Sequence, residues 1–431
     1  MIKNKVFKNA SWLIVCKVIQ ALVGLVISSI TVRYLGDSNF GIINYASSLV
    51  SFVLPVMQLG FNHVLVQQTV SHPEEEGKIY GTAILLSMIS SAACMIGIFG
   101  FVSIANAGEN EKIIVCMLQS IVLLAQAIET IQYWFQSKLL SKYFAITTLV
   151  AYFIVSIYKI VLLILKTNVY WFVTVGLFDL FLIDAILLIV YRKNGGQRLS
   201  FSWAVAKRMF SKSKHYIISS LMVTFFAQTD KIMINFMLGD AETGWYSAAV
   251  STALTTSFVF SAIIDSMRPS IFARYNDEKR GYEERVVLLY SVVIFASLLQ
   301  AAIMTVFAKI IIGILYGADF YNAVGALRIV VWYTTFSYIG SVRNVWILAE
   351  GKQKYLWVIN LSGALFNILF NLIFIPIWGI NGAAFASLIT QIFTNVVLGY
   401  IIRPISYNNK LMLKSLNPKI LINAIKNIKN N

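Results

Sequence analysis

Apolar runs of about 20 residues recur along this chain from end to end, and each is long enough to cross a hydrocarbon core about 30 Å thick. That feature removes most fold classes. A soluble domain carries ~25% charged residues, whereas 13% of these 431 residues are charged and 58% are hydrophobic. A β-barrel would show alternating segments of ~10 residues, a pattern this chain lacks. The sequence therefore predicts an all-α polytopic membrane protein. Its twelve spans fall at about 12–32, 41–62, 80–104, 113–135, 144–165, 169–191, 215–238, 245–267, 287–308, 324–347, 356–376 and 380–402. The start, MIKNKVFKNASWLIV, has a basic segment but then an apolar stretch too long for a signal peptide, without a cleavage site. It reads as the first membrane helix.

The net charge is +16, and its placement matters more than its size. Lys and Arg gather in alternate loops. The segment 192–214 carries Arg192, Lys193, Arg198, Lys207, Arg208, Lys212 and Lys214, and 268–286 carries Arg268, Arg274, Lys279, Arg280 and Arg285. Basic loops stay on the cytoplasmic side, so both termini are expected there. No Arg-rich tail or aromatic-interleaved basic domain is present, which argues against nucleic acid as a partner. The excess charge fits topology and attraction to anionic membrane lipids. The expected organisation is a six-helix bundle over 1–191, a basic cytoplasmic linker over 192–214, a second six-helix bundle over 215–403 and a basic tail over 404–431. The tail mixes Leu411, Leu413 and Ile420 with Lys410, Lys414 and Lys419, as a helix lying in an anionic interface would; a solvated basic tail is the alternative.

Cys16, Cys94 and Cys116 lie inside apolar runs and read as small core residues. His63, His72 and His215 are scattered, so no metal site is expected. No G-x-x-x-x-G-K-[ST] occurs, hence no loop to cradle ATP phosphates, and no nucleophile–base pair sits on an aqueous domain. Neither enzyme activity nor a cofactor is expected.

One motif appears twice. RYLGDSNFGIINYASS (Arg33–Ser48) and FMLGDAETGWYSAAVS (Phe236–Ser251) align without gaps, placing Gly36, Asp37 and Gly41 on Gly239, Asp240 and Gly244. Each copy joins the first and second spans of a six-helix half. An even number of spans separates them, so the halves are expected to be parallel repeats. Gly provides conformational freedom after a helix end, Asp can cap the next helix, and the second Gly permits close approach.

The repeated LGDxxxxG, the DKIMI before its second copy and the layout of two six-span halves resemble bacterial polysaccharide flippases. These are the O-antigen repeat-unit, Wzx-type members of the multidrug/oligosaccharidyl-lipid/polysaccharide exporter superfamily. LYGADF (Leu315–Phe320) and NLSGALFNILFNLIFIPIWGINGAAFASLIT (Asn360–Thr390) resemble the turn after the ninth helix and the eleventh and twelfth helices of that family. The resemblance implies two six-helix bundles around a central cavity, a MATE-like fold. It implies as substrate a polyprenyl-pyrophosphate-linked oligosaccharide of the O-antigen (lipopolysaccharide) or capsule kind. That substrate would pass from the inner to the outer leaflet of the bacterial cell membrane by alternating access, with a glycan polymerase among the expected partners.

Such cargo needs a polar, cationic path, because one isolated ion in hydrocarbon costs tens of kcal/mol on Born reasoning. Intramembrane charges are the candidates. For the substrate path these are Lys17 with Gln20 on nearly the same face, Lys159, Asp230 and Lys231, with Arg33 and Arg268 near helix ends. Asp179, Asp184, Glu129 and Asp265 are candidates for a coupling proton or cation. Asp230 and Lys231 point about 100° apart on a helix and cannot simply neutralise each other. Lys231 facing the path, with Asp230 restraining it or pairing with Lys17, is one reading; an interhelical ion pair that only fixes packing is the other. Rival functions are a drug/cation antiporter, whose cavity should be acid-dominated, and a peptidoglycan-precursor flippase, which usually has two further C-terminal helices.

Overall fold

The computed structural model describes the backbone of residues 2–277 and 279–429, and the side chains of residues 20, 23–273 and 281–423. Among the described residues there is no strand. The chain groups into two compact units, Met1–Gln228 and Thr229–Asn431.

Unit 1 begins with α1 (Ile2–Met57), which contains the first expected span and most of the second. A straight helix of 56 residues would reach ~84 Å, far more than a bilayer needs. The chain instead turns at Gly36, at φ 75° and ψ 177°. A short helix α2 (Leu65–Ser71) leads to α3 (Glu76–Ala105). The expected fourth span is three consecutive pieces, α4 (Asn110–Ser120), α5 (Val122–Glu129) and α6 (Gln132–Ser137). A hydroxyl sits at each break: Ser120 donates to the Met117 carbonyl at 2.7 Å and Thr130 to the Ala127 carbonyl at 2.8 Å. Helices α7 (Ser141–Ile164) and α8 (Val169–Lys193) complete the set before α9 (Trp203–Met237), whose course runs from unit 1 into unit 2.

The 192–214 segment is not a loose linker. It is helical from Trp203, and its extended part is strapped along the start of α3. Gly77 N–H donates to Gln197 Oε1 at 3.0 Å, Ser200 N–H to the Gly77 carbonyl at 3.0 Å, and Ser202 N–H to Thr82 Oγ1 at 2.9 Å. The first of these bonds satisfies an N–H that a helix N-terminus leaves open. The same end holds the core of unit 1, where Phe61, Leu65, Trp134, Phe135, Tyr191 and Met209 are buried together. Trp134 Nε1 donates to Glu76 at 2.9 Å, and Glu76 also pairs with Lys138. His63 stacks on Tyr216 at 4.7 Å between ring centroids, and partial burial lowers its pKa, keeping the ring neutral at pH 7.

Unit 2 continues with α10 (Asp240–Leu254), α11 (Ser257–Asp277) and α12 (Lys279–Leu315). Helix α13 (Ala323–Ala349) follows, then α14 (Leu356–Ile392), which merges the eleventh and most of the twelfth expected spans across a kink at Gly379. A π-helical turn (Phe393–Val397), α15 (Leu398–Ile401), α16 (Ser406–Ser415) and α17 (Pro418–Lys429) close the chain. The basic loop expected at 268–286 is mostly helix, because α11 runs to Asp277 and α12 starts at Lys279. The first part of the expected tail is core. Leu411 is buried, and Tyr290 O–H donates to the buried Asn408 side chain at 2.7 Å.

The second LGD copy turns as the first does. Gly239 sits at φ 123° and ψ −169° and is itself the residue that caps α10. Asp240 lies inside the first turn, where it accepts from Asn235 Nδ2 at 2.8 Å; Asp37 accepts from the N–H of Ser38, also at 2.8 Å. Gly41 and Gly244 are both buried, so both helices approach a neighbour at that point. Backbone conformations like those of Gly36 and Gly239 are essentially confined to glycine. Gly36→Ala and Gly239→Ala are each expected to cost ~1–3 kcal/mol, read as a lower melting temperature of the purified protein. Gly97→Ala, where an added methyl meets nothing within 4 Å, should leave it unchanged or raise it.

Candidate functional site

The charged pair in α9 separates as the helix geometry demands. Asp230 is buried at the centre of a polar hub in unit 2. Its Oδ1 accepts from Asn371 Nδ2 at 2.6 Å, and its Oδ2 accepts from the Tyr246 hydroxyl at 2.5 Å and from the Ser387 hydroxyl. Asn371 also donates to Asn367 Oδ1 at 3.1 Å, and Asn367 to Ser387 at 3.3 Å. Three neutral donors converge on one carboxylate, and their short distances are those of charge-assisted bonds. The hub ties α9 to α10 and to α14 on both sides of its Gly379 kink. Asn367 and Asn371 are one helical turn apart, so they share a face. Lys231 is half-buried, feels the charge of Asp230 and closes no ion pair among the described residues.

Unit 2 also buries the cation Arg343 of α13, only 4% exposed. It donates to the Thr394 carbonyl at 2.5 Å, within the π-helical turn whose altered register frees backbone acceptors.

Unit 1 holds a cavity of about 300 Å³. It lies at the end of the unit where α1 turns at Gly36 and where the Tyr34 hydroxyl donates to the Thr167 carbonyl at 2.8 Å. Lys159 from α7 and Asp179 from α8 both line it and feel each other's charge. Further along α8, Asp184 is 1% exposed, and neither carboxyl oxygen has a hydrogen-bond partner. Its electrostatic neighbour is Glu129 of α5, half-buried, which also senses Asp179. The structure thus brings Glu129, Lys159, Asp179 and Asp184 into one region of unit 1.

The remaining sequence candidates are found as follows. Asp265 and Arg268 pair with each other on α11 at 2.9 Å, with side chains 61% and 44% exposed. Arg33 is exposed near the Gly36 turn. Gln20 is half-buried in α1, and the side chain of Lys17 lies outside the described residues. Tyr246, Asn367, Asn371, Ser387 and Arg343 are absent from the sequence-based candidates. Arg343 lies within span 324–347, so the rule that flags intramembrane charges reaches it. The asparagines had a weaker signal, two amides four residues apart in an otherwise apolar helix.

Burial is inverted relative to a water-soluble protein. Asn367 and Asn371 are fully buried, while Ile104 and Val306 are 84% and 71% exposed. Nine helical segments among the described residues are long and apolar enough to cross a membrane. Fold and burial together define a multi-pass membrane protein. The fold is MATE-like: the lipid II flippase MurJ in an inward closed conformation superposes with a TM-score of 0.70 at 13% identity, over 96% of this chain and 92% of that one. An inward-facing multidrug resistance MATE family transporter gives 0.68 at 13% identity, over 91% and 96%. Sequence carries the assignment further. Residues 6–273 match the family described as polysaccharide biosynthesis protein, and the chain belongs to that family. A curated relative, an uncharacterized membrane protein of Methanocaldococcus jannaschii, is 26% identical over 227 residues, which span 52% of this chain and 43% of the relative.

Proposed function

We propose that this protein is a flippase. It carries a polyprenyl-pyrophosphate-linked oligosaccharide, of the O-antigen or capsule repeat-unit class, from the inner to the outer leaflet of a bacterial cytoplasmic membrane by alternating access. The observation that carries this reading is membership of a polysaccharide biosynthesis family by a chain whose fold is that of transporters. The chemistry agrees. A pyrophosphate and several hydroxyl-rich sugars leave water only where charge and hydrogen bonds replace it. Lys159 at the unit 1 cavity and Lys231 in unit 2 are half-buried cations that close no ion pair among the described residues. Lys231 remains available to the anionic headgroup, and Lys159 to the glycan. Asp184 and Glu129 supply acids for a coupling proton or cation.

The test is reconstitution. Liposomes are loaded with a fluorescent polyprenyl pyrophosphate bearing an N-acetylhexosamine, and a membrane-impermeant reductant quenches the outer leaflet. With the purified protein, quenching should pass from about half of the signal to nearly all of it, at least ~10-fold faster than in empty liposomes. No acceleration, together with ion-driven export of a cationic dye, would replace the flippase reading with the drug-antiporter one.

A further inference from the structure

The cavity of unit 1 has a lining that its neighbours do not use up. Asp179 Oδ1 is shielded from solvent and has no hydrogen-bond partner. Lys159 shares the cavity with it, yet no ion pair closes between them among the described residues. Around this pair stand the hydroxyls of Tyr152 and Ser156, the amide of Gln119 and the ring of Phe172. A purely apolar lining would suit an acyl chain, and a purely charged one an ion. Donors and acceptors set beside aromatic rings match a sugar, whose hydroxyls need both kinds of partner and whose C–H faces lie against rings. A volume of about 300 Å³ sits at the lower end of small-molecule sites and suits a single pyranose with its substituents better than a whole oligosaccharide. An added Cβ at Gly176, which lines the same cavity, meets no atom within 4 Å.

We propose that this cavity is a saccharide subsite, in which Lys159 and Asp179 hydrogen-bond the hydroxyls of one sugar ring while Phe172 and Tyr152 cover its apolar face. The inference rests on the flippase reading and deepens it, for it assigns to unit 1 the recognition of the glycan rather than of the pyrophosphate. By the charge bias of the loops, the cavity's end of unit 1 is the outer one, so the sugar is held on the exit side.

The experiment compares two probes on the full-length protein in lipid nanodiscs by native mass spectrometry. One is polyprenyl pyrophosphate alone, and the other is the same carrier bearing a single N-acetylhexosamine. The wild type should prefer the sugar-bearing carrier by about 10-fold. Gly176→Leu, which places a side chain in the open space, and Lys159→Met should both lose that preference. Both should still bind the bare carrier as the wild type does. Equal binding of the two carriers by the wild type, or an unchanged preference in both variants, would overturn the subsite and leave the flippase reading standing. Failure of the wild type to bind either carrier would overturn both.

Discussion

Lys231→Ala is expected to abolish glycan export while the protein stays folded in the membrane. An ammonium about 4 Å from a phosphate contributes ~4 kcal/mol at an effective dielectric constant of 20. Part of that is offset by the cost of holding the lysine half-buried beforehand. A net loss of ~3 kcal/mol still corresponds to more than a 100-fold fall in rate. Lys231→Arg keeps the charge but changes the shape, so partial export is expected from it. Lys17→Ala should act in the same direction. The measurements are surface glycan in a complemented deletion strain and leaflet exchange in liposomes, each normalised to inserted protein. Wild-type export from Lys231→Ala would remove this lysine from the path.

Asp230→Ala is expected to be the most damaging change to stability in unit 2. The carboxylate accepts from Tyr246, Asn371 and Ser387 in a buried setting, and alanine leaves three donors facing a void. Each orphaned donor costs ~1–3 kcal/mol, partly relieved where Asn371 keeps its bond to Asn367. A loss of ~3 kcal/mol or more should lower the melting temperature of the detergent-solubilised protein by roughly 6–12 °C. Asp230→Asn, which retains one acceptor oxygen, should fall between. A melting point within about a degree of wild type for Asp230→Ala would show that the hub does not hold α9 to α14.

The contrast between these neighbours shows how far a sequence can be read. Periodicity and length located the helices, since a 20-residue apolar run has few alternatives in a bilayer. The LGD repeat marked Gly36 and Gly239, where the backbone does take glycine-only conformations. It did not reveal that Gly239 rather than Asp240 would cap the helix. Helical geometry foretold that Asp230 and Lys231 would diverge, but the partners of Asp230 come from α10 and α14 and are set by packing. Charge density marked 192–214 as a linker and 404–431 as an interfacial tail, but it carried no sign of the backbone pairing with α3 or of the burial of Asn408 and Leu411 that draw parts of both segments into the units. The unit 1 cavity was legible only as two isolated charges, because its other walls are ordinary residues such as Ser156 and Phe172.

The polar hub also sets a timetable for biogenesis. Asp230 precedes its partners Asn371 and Ser387 by 141 and 157 residues. At ~5–20 residues per second of synthesis, the nascent carboxylate waits roughly 8–30 s for the last helical hairpin. Until then only Tyr246 of its three partners has been made, so the last helices complete the socket of a charge laid down long before them, and a chain ended before Asn371 is expected to be cleared faster than the full protein.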